Sequence, residues 1–137
     1  MYKHILIPTD GSDLSNKAIR HGVALAKAVN ARATAITVTV PFHVFAIDPD
    51  TKKRTSAAAT RYLTQVKDAA IAVGVTCAMI HAEHEHPYRA IIDAASNSDC
   101  DLITMASHGR RGISAVVLGS ETVKVLTHSN IPVLVYR

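Results

Sequence analysis

Residues 101–120 read DLITMASHGRRGISAVVLGS, and the reading of this stretch decides the fold. Its opening, DLITMA, is mostly apolar without the alternation of a half-exposed strand, which suits a strand covered on both faces. Gly109, Gly112 and Gly119 then interrupt the chain, and Ser120 opens a segment of helical period over residues 120–128. A buried strand, a glycine-rich connection and a helix, in that order, form one step of an α/β fold.

The same step recurs on both sides of this stretch. Strand-sized apolar runs occupy residues 3–8, 33–40, 76–81, 101–106 and 131–136. Helical periodicity fills 13–30, through Ala18, Ile19, Gly22, Val23, Leu25, Ala26 and Val29, and 55–73, through Ala59, Tyr62, Leu63, Val66, Ala70 and Val73. Ser12 or Asp13 caps the first of these, and Gly74 stops the second. A third helix runs over 86–96 with Pro87 in its first turn. The order β-α-β-α-β-α-β-α-β requires parallel strands, right-handed crossovers and one doubly wound sheet with helices on both faces. Ligands of such sheets lie beyond the carboxyl ends of the strands, at the point where strand order reverses. Residues 41–51 read as an irregular flap beside that edge.

The totals fit one domain covering residues 1–137. Nearly half of the residues, 48%, are hydrophobic, enough for one substantial core, and aromatics make up only 4%. The net charge of +4 comes from scattered Lys and Arg, apart from Lys52-Lys53-Arg54 and Arg110-Arg111. A nucleic-acid binder gathers its cations on one face with interleaved aromatics, so nucleic acid is not the expected partner. No run has the length of a membrane span, and MYKHILIPTD is too short in apolar residues for a signal peptide, so a cytoplasmic location is expected. Cys77 and Cys100 flank different strands, which fits a reducing compartment and no disulfide.

Two strand ends carry candidate chemistry. After the fourth strand, Ser107-His108-Gly109-Arg110-Arg111-Gly112 leads on to Gly119-Ser120 at a helix start, where unpaired backbone N–H groups suit a phosphate. Ser120 offers a hydroxyl and a cap, and Arg110 and Arg111 offer charge at the rim. Spacing alone gives equal weight to the reading that these glycines only make turns. After the first strand, Pro8-Thr9-Asp10-Gly11-Ser12 lacks a dinucleotide fingerprint, and no G-x-x-x-x-G-K-[ST] occurs. Asp10 there suits ribose hydroxyls or a metal, and equally a turn or helix cap.

Taken together, Pro8-Thr9-Asp10-Gly11-Ser12, the segment S-H-G-R-R-G-I-S-A-V-V-L-G-S and N-I-P-V-L-V near the end closely resemble the universal stress protein family across essentially the whole chain. That family's ATP-binding signature is G-x2-G-x9-G-[ST], and Gly109, Gly119 and Ser120 reproduce its last three fixed positions, while Ala106 replaces the first glycine. The resemblance implies a Rossmann-like three-layer domain with strand order 3-2-1-4-5. It implies that Asp10 meets ribose, with Pro8 and Thr9 beside adenine and the Val38 main chain at its edge. Met105 and Ala106 would line the pocket. Gly109, Gly119, Ser120 and the Glu121 amide would hold phosphates of ATP, ADP or AMP bridged by Mg²⁺ or Mn²⁺. His108 orders the loop or contacts phosphate. A homodimer through the last strand is a further family expectation, and the apolar IPVLVY would be a hazard at a bare edge. If Ala106 requires a positive φ, it costs about 1 kcal/mol relative to glycine; otherwise it adds only a methyl group.

His81, His84 and His86 follow the third strand and His43 the second, but their spacing matches no standard zinc site, so a solvated loop is expected and no metal site is assigned. The expected function is a nucleotide-binding stress-response regulator, in which bound ATP stabilises one dimer or flap conformation that an unknown protein partner reads. Hydrolysis needs a positioned water, a base and charge stabilisation, and the loops supply little beyond Asp10, His108 and the two arginines. Slow ATPase activity and a nucleotide-free interaction protein are the alternatives.

Overall fold

The computed structural model describes residues 1–41, 48–109 and 118–137. Its elements are β1 (His4–Pro8), α1 (Asp13–Ala28), β2 (Arg32–Thr39), α2 (Pro49–Ala72), β3 (Cys77–Glu83), α3 (Pro87–Asn97), β4 (Leu102–Ala106), α4 (Ser120–His128) and β5 (Val133–Tyr136). The strands form one parallel sheet in the order β3-β2-β1-β4-β5. The expected alternation, layering and strand order all hold.

Side-chain alternation along the central strands builds two cores. Ile5 and Ile7 face one way, onto Ile19 and Val23 of α1 and Leu63 and Val66 of α2. Leu6 faces the other way with Ile36, Ile103 and Met105, against Ile91 and Ala95 of α3 and Val125 of α4. Ile5, Leu6, Ile7, Ile36 and Ile103 are completely buried, and each contributes about 1.5–3 kcal/mol by leaving water. On the first face Ala33 and Ala35 of β2 keep the surface shallow. Gly22 lets α1 approach β1 and β4: a methyl group there would sit 2.6 Å from Thr104 Oγ1 and 3.3 Å from Ile7 Cδ1.

Several boundaries differ from the sequence reading. α2 begins at Pro49 rather than at residue 55, so the irregular stretch expected over 41–51 is helical from Pro49. Asp48 caps it by accepting from Asp50 N–H at 3.1 Å, with Pro49 pre-set for the first turn; the rest of the expected flap, residues 42–47, lies outside the described residues. β3 runs on to Glu83, because Thr39 pairs with Glu83 and its carbonyl accepts from His84 N–H. His81 is therefore inside the strand rather than after it. β5 starts at Val133, since Ser129 Oγ bonds both the carbonyl and the amide of Ile131 and Pro132 has no N–H to pair.

The amino ends of β1 and β4 are tied by Asp101, whose carboxylate accepts the N–H groups of Lys3 (2.8 Å) and His4 (3.0 Å). Partial desolvation pushes the Asp101 carboxyl upward, but the His4 and Lys3 amides outweigh it and hold its pKa below the ordinary value. Beside it the buried His4 ring bonds Thr34 Oγ1 at 2.7 Å. Burial, aided by the Arg32 charge, lowers the His4 pKa and keeps the ring neutral. Cys77 and Cys100 are free, two strands apart across β2 and β1. Burial raises the Cys100 thiol to about 11.

Candidate functional site

At the carboxyl edge β1 ends at Pro8, and the chain turns over α1. Thr9 N–H still reaches Ile36 O at 2.8 Å, which carries the β1–β2 ladder one residue past the strand. Ser15, buried in the first turn of α1, braces the turn by donating to Thr9 Oγ1 (2.9 Å) and accepting from Asp10 N–H (3.3 Å). Ser12 caps α1 by accepting from Ser15 N–H at 3.2 Å. Asp10 closes an Asx turn, its Oδ1 accepting from Ser12 N–H at 3.0 Å. Gly11, between them, has φ of +79°, a conformation that favours glycine.

Val38 sits beside this turn, two residues beyond the last residue of β2 paired with β1, Ile36. Odd-numbered residues of β2 bond β3, as the Ala33 amide and Thr39 carbonyl do, and Ile36 bonds the β1 side. The Val38 N–H and C=O consequently face the β1 side, beyond the end of β1, in the crevice at the sheet edge.

β4 supplies the facing wall. Met105 and Ala106 are buried and pair with Val135 and Tyr136 of β5. Positive φ among the described non-glycine residues occurs at Asn30 and Asp99, so Ala106 carries no such strain and adds only a methyl group where the signature has glycine. Thr122 of α4 donates its hydroxyl to Ala106 O at 2.9 Å, and Ser107 N–H continues the ladder to Tyr136 O at 2.7 Å. The buried His108 ring bonds Ser107 Oγ through Nδ1 at 3.0 Å, and its Nε2 is buried without a partner among the described residues. Gly109 lies against Asp10: a methyl group on Gly109 would land on Asp10 Oδ2 and 3.5 Å from its Cγ.

The connection returns at Gly119, whose N–H donates to Ser107 O at 2.7 Å. A methyl group on Gly119 would lie 3.2 Å from both His108 Cα and Ser107 O, so the close approach depends on glycine. This amide is engaged within the fold, whereas the sequence reading gave it to phosphate. Gly119, not Ser120, is the N-cap of α4; Ser120 is its first residue, and among the described residues no side chain caps the helix. The positive end of α4 therefore opens beside His108 and Gly109. The Glu121 carboxylate turns away to α3, accepting Tyr88 N–H at 2.9 Å and lying 3.5 Å from Lys124 Nζ.

The structure thus brings Pro8, Thr9, Asp10, Val38, Met105, Ala106, His108, Gly109, Gly119, Ser120 and the Glu121 main chain to one edge. Arg110 and Arg111 lie outside the described residues. Chemically the edge offers a carboxylate, main-chain groups of β2 beyond the end of β1 and a helix terminus with no side-chain cap among the described residues, a set suited to a sugar, a base edge and an anion.

His81, His84 and His86 lie around the carboxyl end of β3, the strand furthest from β5 in the sheet. His81 Nε2 bonds Thr39 Oγ1 at 3.0 Å, and His84 Nδ1 accepts from His86 N–H at 2.8 Å. Among the described residues no group of three His, Cys, Asp or Glu is placed to hold a metal; His43 lies outside them. Two surface hollows also lie elsewhere. One, at the amino end of the sheet, is lined by Lys27, Asn30, Arg32 and Gly74, and the other by Tyr88, Arg89, Ile92, Asp93 and His128.

Sequence reasoning missed three contributors. Ser15 was legible as a second hydroxyl one turn after Ser12. Thr122 carried no sequence signal distinguishing it from a surface threonine. Tyr62, read as core, instead lays its ring on Gly11, and its place at the border of the α2 apolar stripe was the available hint.

Comparison with known proteins agrees with this architecture. The profile of the universal stress protein family matches residues 1–137. Universal stress protein MJ0531 of Methanocaldococcus jannaschii is 33% identical over 144 residues, covering 100% of this chain and 83% of that protein. The structure of hypothetical protein MJ0577 superposes with a TM-score of 0.85 at 28% identity, over 98% of this chain and 95% of that one. A universal stress protein solved in complex with cAMP gives 0.75 at 25% identity, over 99% and 97% of the two chains. Since profile, relative and superposition each extend over all or nearly all of the sequence, the chain belongs to the universal stress protein family.

Proposed function

We propose that this protein is a regulatory nucleotide-binding domain that takes ATP, or ADP or AMP, at the carboxyl ends of β1 and β4. The observation that carries the reading is the meeting of Asp10 with Gly109 directly beside the start of α4. A carboxylate that accepts ribose hydroxyls then stands next to a helix terminus that attracts phosphate. The cAMP complex of a relative supports an adenine nucleotide as the guest. Pro8 and Thr9 would flank the base, with the Val38 main chain at its edge. Met105 and Ala106 would close the floor, and His108, Gly109, Ser120 and the Glu121 amide would meet the phosphates. Because Gly119 N–H is bound to Ser107 O, Gly119 serves by closeness of approach rather than by donating.

Mg²⁺ or Mn²⁺ fits as an ion carried by the nucleotide: Asp10 and the Ser120 hydroxyl are oxygen donors, and the phosphates would complete its shell and have their charge neutralised. The protein's own residues bind, orient and exclude water there; the reading is binding rather than turnover. We also place the protein in the cytoplasm, as its free cysteines suit. We propose a homodimer through β5, where Leu134 is 39% exposed; Val123 and Leu126 of α4 are also exposed, at 43% and 41%. Nucleotide would favour one dimer form for an unidentified protein partner to read. No helix among the described residues is long and apolar enough to cross a membrane.

Calorimetric titration of ATP, ADP, AMP and cAMP into wild type and Gly119→Asp tests the reading. Saturable heat in wild type that Gly119→Asp removes is the expected result. A silent wild type refutes nucleotide binding in favour of an interaction protein, and steady ADP release with Mg²⁺ would make the protein an ATPase.

A further inference from the structure

We infer that Tyr62 of α2 is the positioning residue for Asp10, and through it sets how strongly the site discriminates ribose hydroxyls. The inference rests on the nucleotide-binding reading above. Tyr62 is half-buried at the edge of the α2 stripe, whose Ala59, Leu63 and Val66 are buried in the core. Its ring lies on the α-carbon of Gly11: a methyl group there would fall into the ring, 2.5 Å from Cδ1 and Cζ.

Gly11 is the middle of the Asx turn in which Ser12 N–H holds Asp10 Oδ1. A flat ring pressed on that residue limits how far the turn can swing away from β4. On the other side, Asp10 Oδ2 rests against Gly109. Tyr62, Gly11, Asp10 and Gly109 therefore form one line of contact from α2, through the sugar-binding acid, to the glycine that opens the phosphate loop. Remove the ring and the turn keeps its hydrogen bond, but the carboxylate loses the wall that fixes its distance from Gly109. It is the ring carbons that cover Gly11.

The test compares wild type with Tyr62→Phe, Tyr62→Leu and Tyr62→Ala, titrating ATP, 2′-deoxy-ATP, 3′-deoxy-ATP and inorganic tripolyphosphate. Wild type and Tyr62→Phe should prefer ATP over the deoxy forms. Tyr62→Ala and Tyr62→Leu should lose about tenfold of that preference, the scale of one charge-assisted hydrogen bond, while tripolyphosphate affinity stays within about twofold. A merely structural role would weaken all four ligands in parallel. Should Tyr62→Ala not fold, Tyr62→Leu keeps the apolar bulk and decides the matter. A wild-type preference retained in Tyr62→Leu, or a uniform loss across ligands, overturns the role of Tyr62 while leaving nucleotide binding intact. A wild type that binds no ATP overturns both.

Discussion

Replacing Gly11 with alanine asks two separate things of the β1–α1 turn. The residue sits at φ +79°, and a left-handed conformation costs an alanine about 1–2 kcal/mol. The new methyl group also enters space held by the Tyr62 ring, 2.5 Å from Cζ, and overpacking of this kind costs about 1–3 kcal/mol. The sum, about 2–5 kcal/mol, is a large part of the roughly 5–15 kcal/mol that holds a domain of this size together. Urea unfolding followed by far-ultraviolet circular dichroism, with Gly11→Ala, Tyr62→Ala and the double variant, separates the two costs. The steric cost should vanish in the double variant, which then comes out about 1–3 kcal/mol more stable than the sum of the single losses. Additivity within about 0.5 kcal/mol, or a Gly11→Ala loss well below 1 kcal/mol, would show that ring and turn do not press on each other.

Three further outcomes are expected. Because the folded His4 pKa is lowered and the unfolded ring takes a proton near 6.5, stability should fall as pH drops through 6.5 and level off below the folded value; a urea-midpoint slope between pH 7.5 and 5 unchanged in His4→Gln contradicts this. Asp101, also lowered, contributes stability that is present above its ordinary pKa of 3.8 and is lost as pH falls through its folded value, and Asp101→Asn should flatten the acid limb of the same curve. Gly22→Ala gains about 1 kcal/mol of helix propensity but forces a methyl group to 2.6 Å from Thr104 Oγ1, so a melting temperature lowered by several degrees is expected and a raised one refutes the tight α1–sheet contact.

The legible parts of the chain were those whose signal is local. The buried strands announced themselves as apolar runs, and α4 matched the reading to the residue because Gly119-Ser120 marks its start. The start of α2 was legible too and was passed over: Asp48-Pro49 is a cap followed by a first-turn proline. What sequence could not give were the contacts between distant segments. Nothing in the neighbourhood Arg61-Tyr62-Leu63-Thr64 tells a core tyrosine from one lying on a turn about fifty residues earlier, and the partnership of Gly119 N–H with Ser107 O exists only because the connection doubles back. Asp10, Gly109, Gly119 and Ser120 were legible from the strand-end loops, while Pro8, Thr9, Val38, Met105, Ala106 and the Glu121 amide came from the resemblance; their mutual placement came from the sheet order.

Glu121 has a consequence for neighbouring helices. An acid in the first turn of α4 would ordinarily cancel the positive end of its own helix and repel an arriving anion. By reaching over to the Tyr88 amide and pairing with Lys124, it instead neutralises the start of α3 and leaves that of α4 electrically open. One carboxylate thereby fixes which of two adjacent helix starts can attract a negatively charged guest, and it ties the position of that guest's helix to the segment carrying His84 and His86.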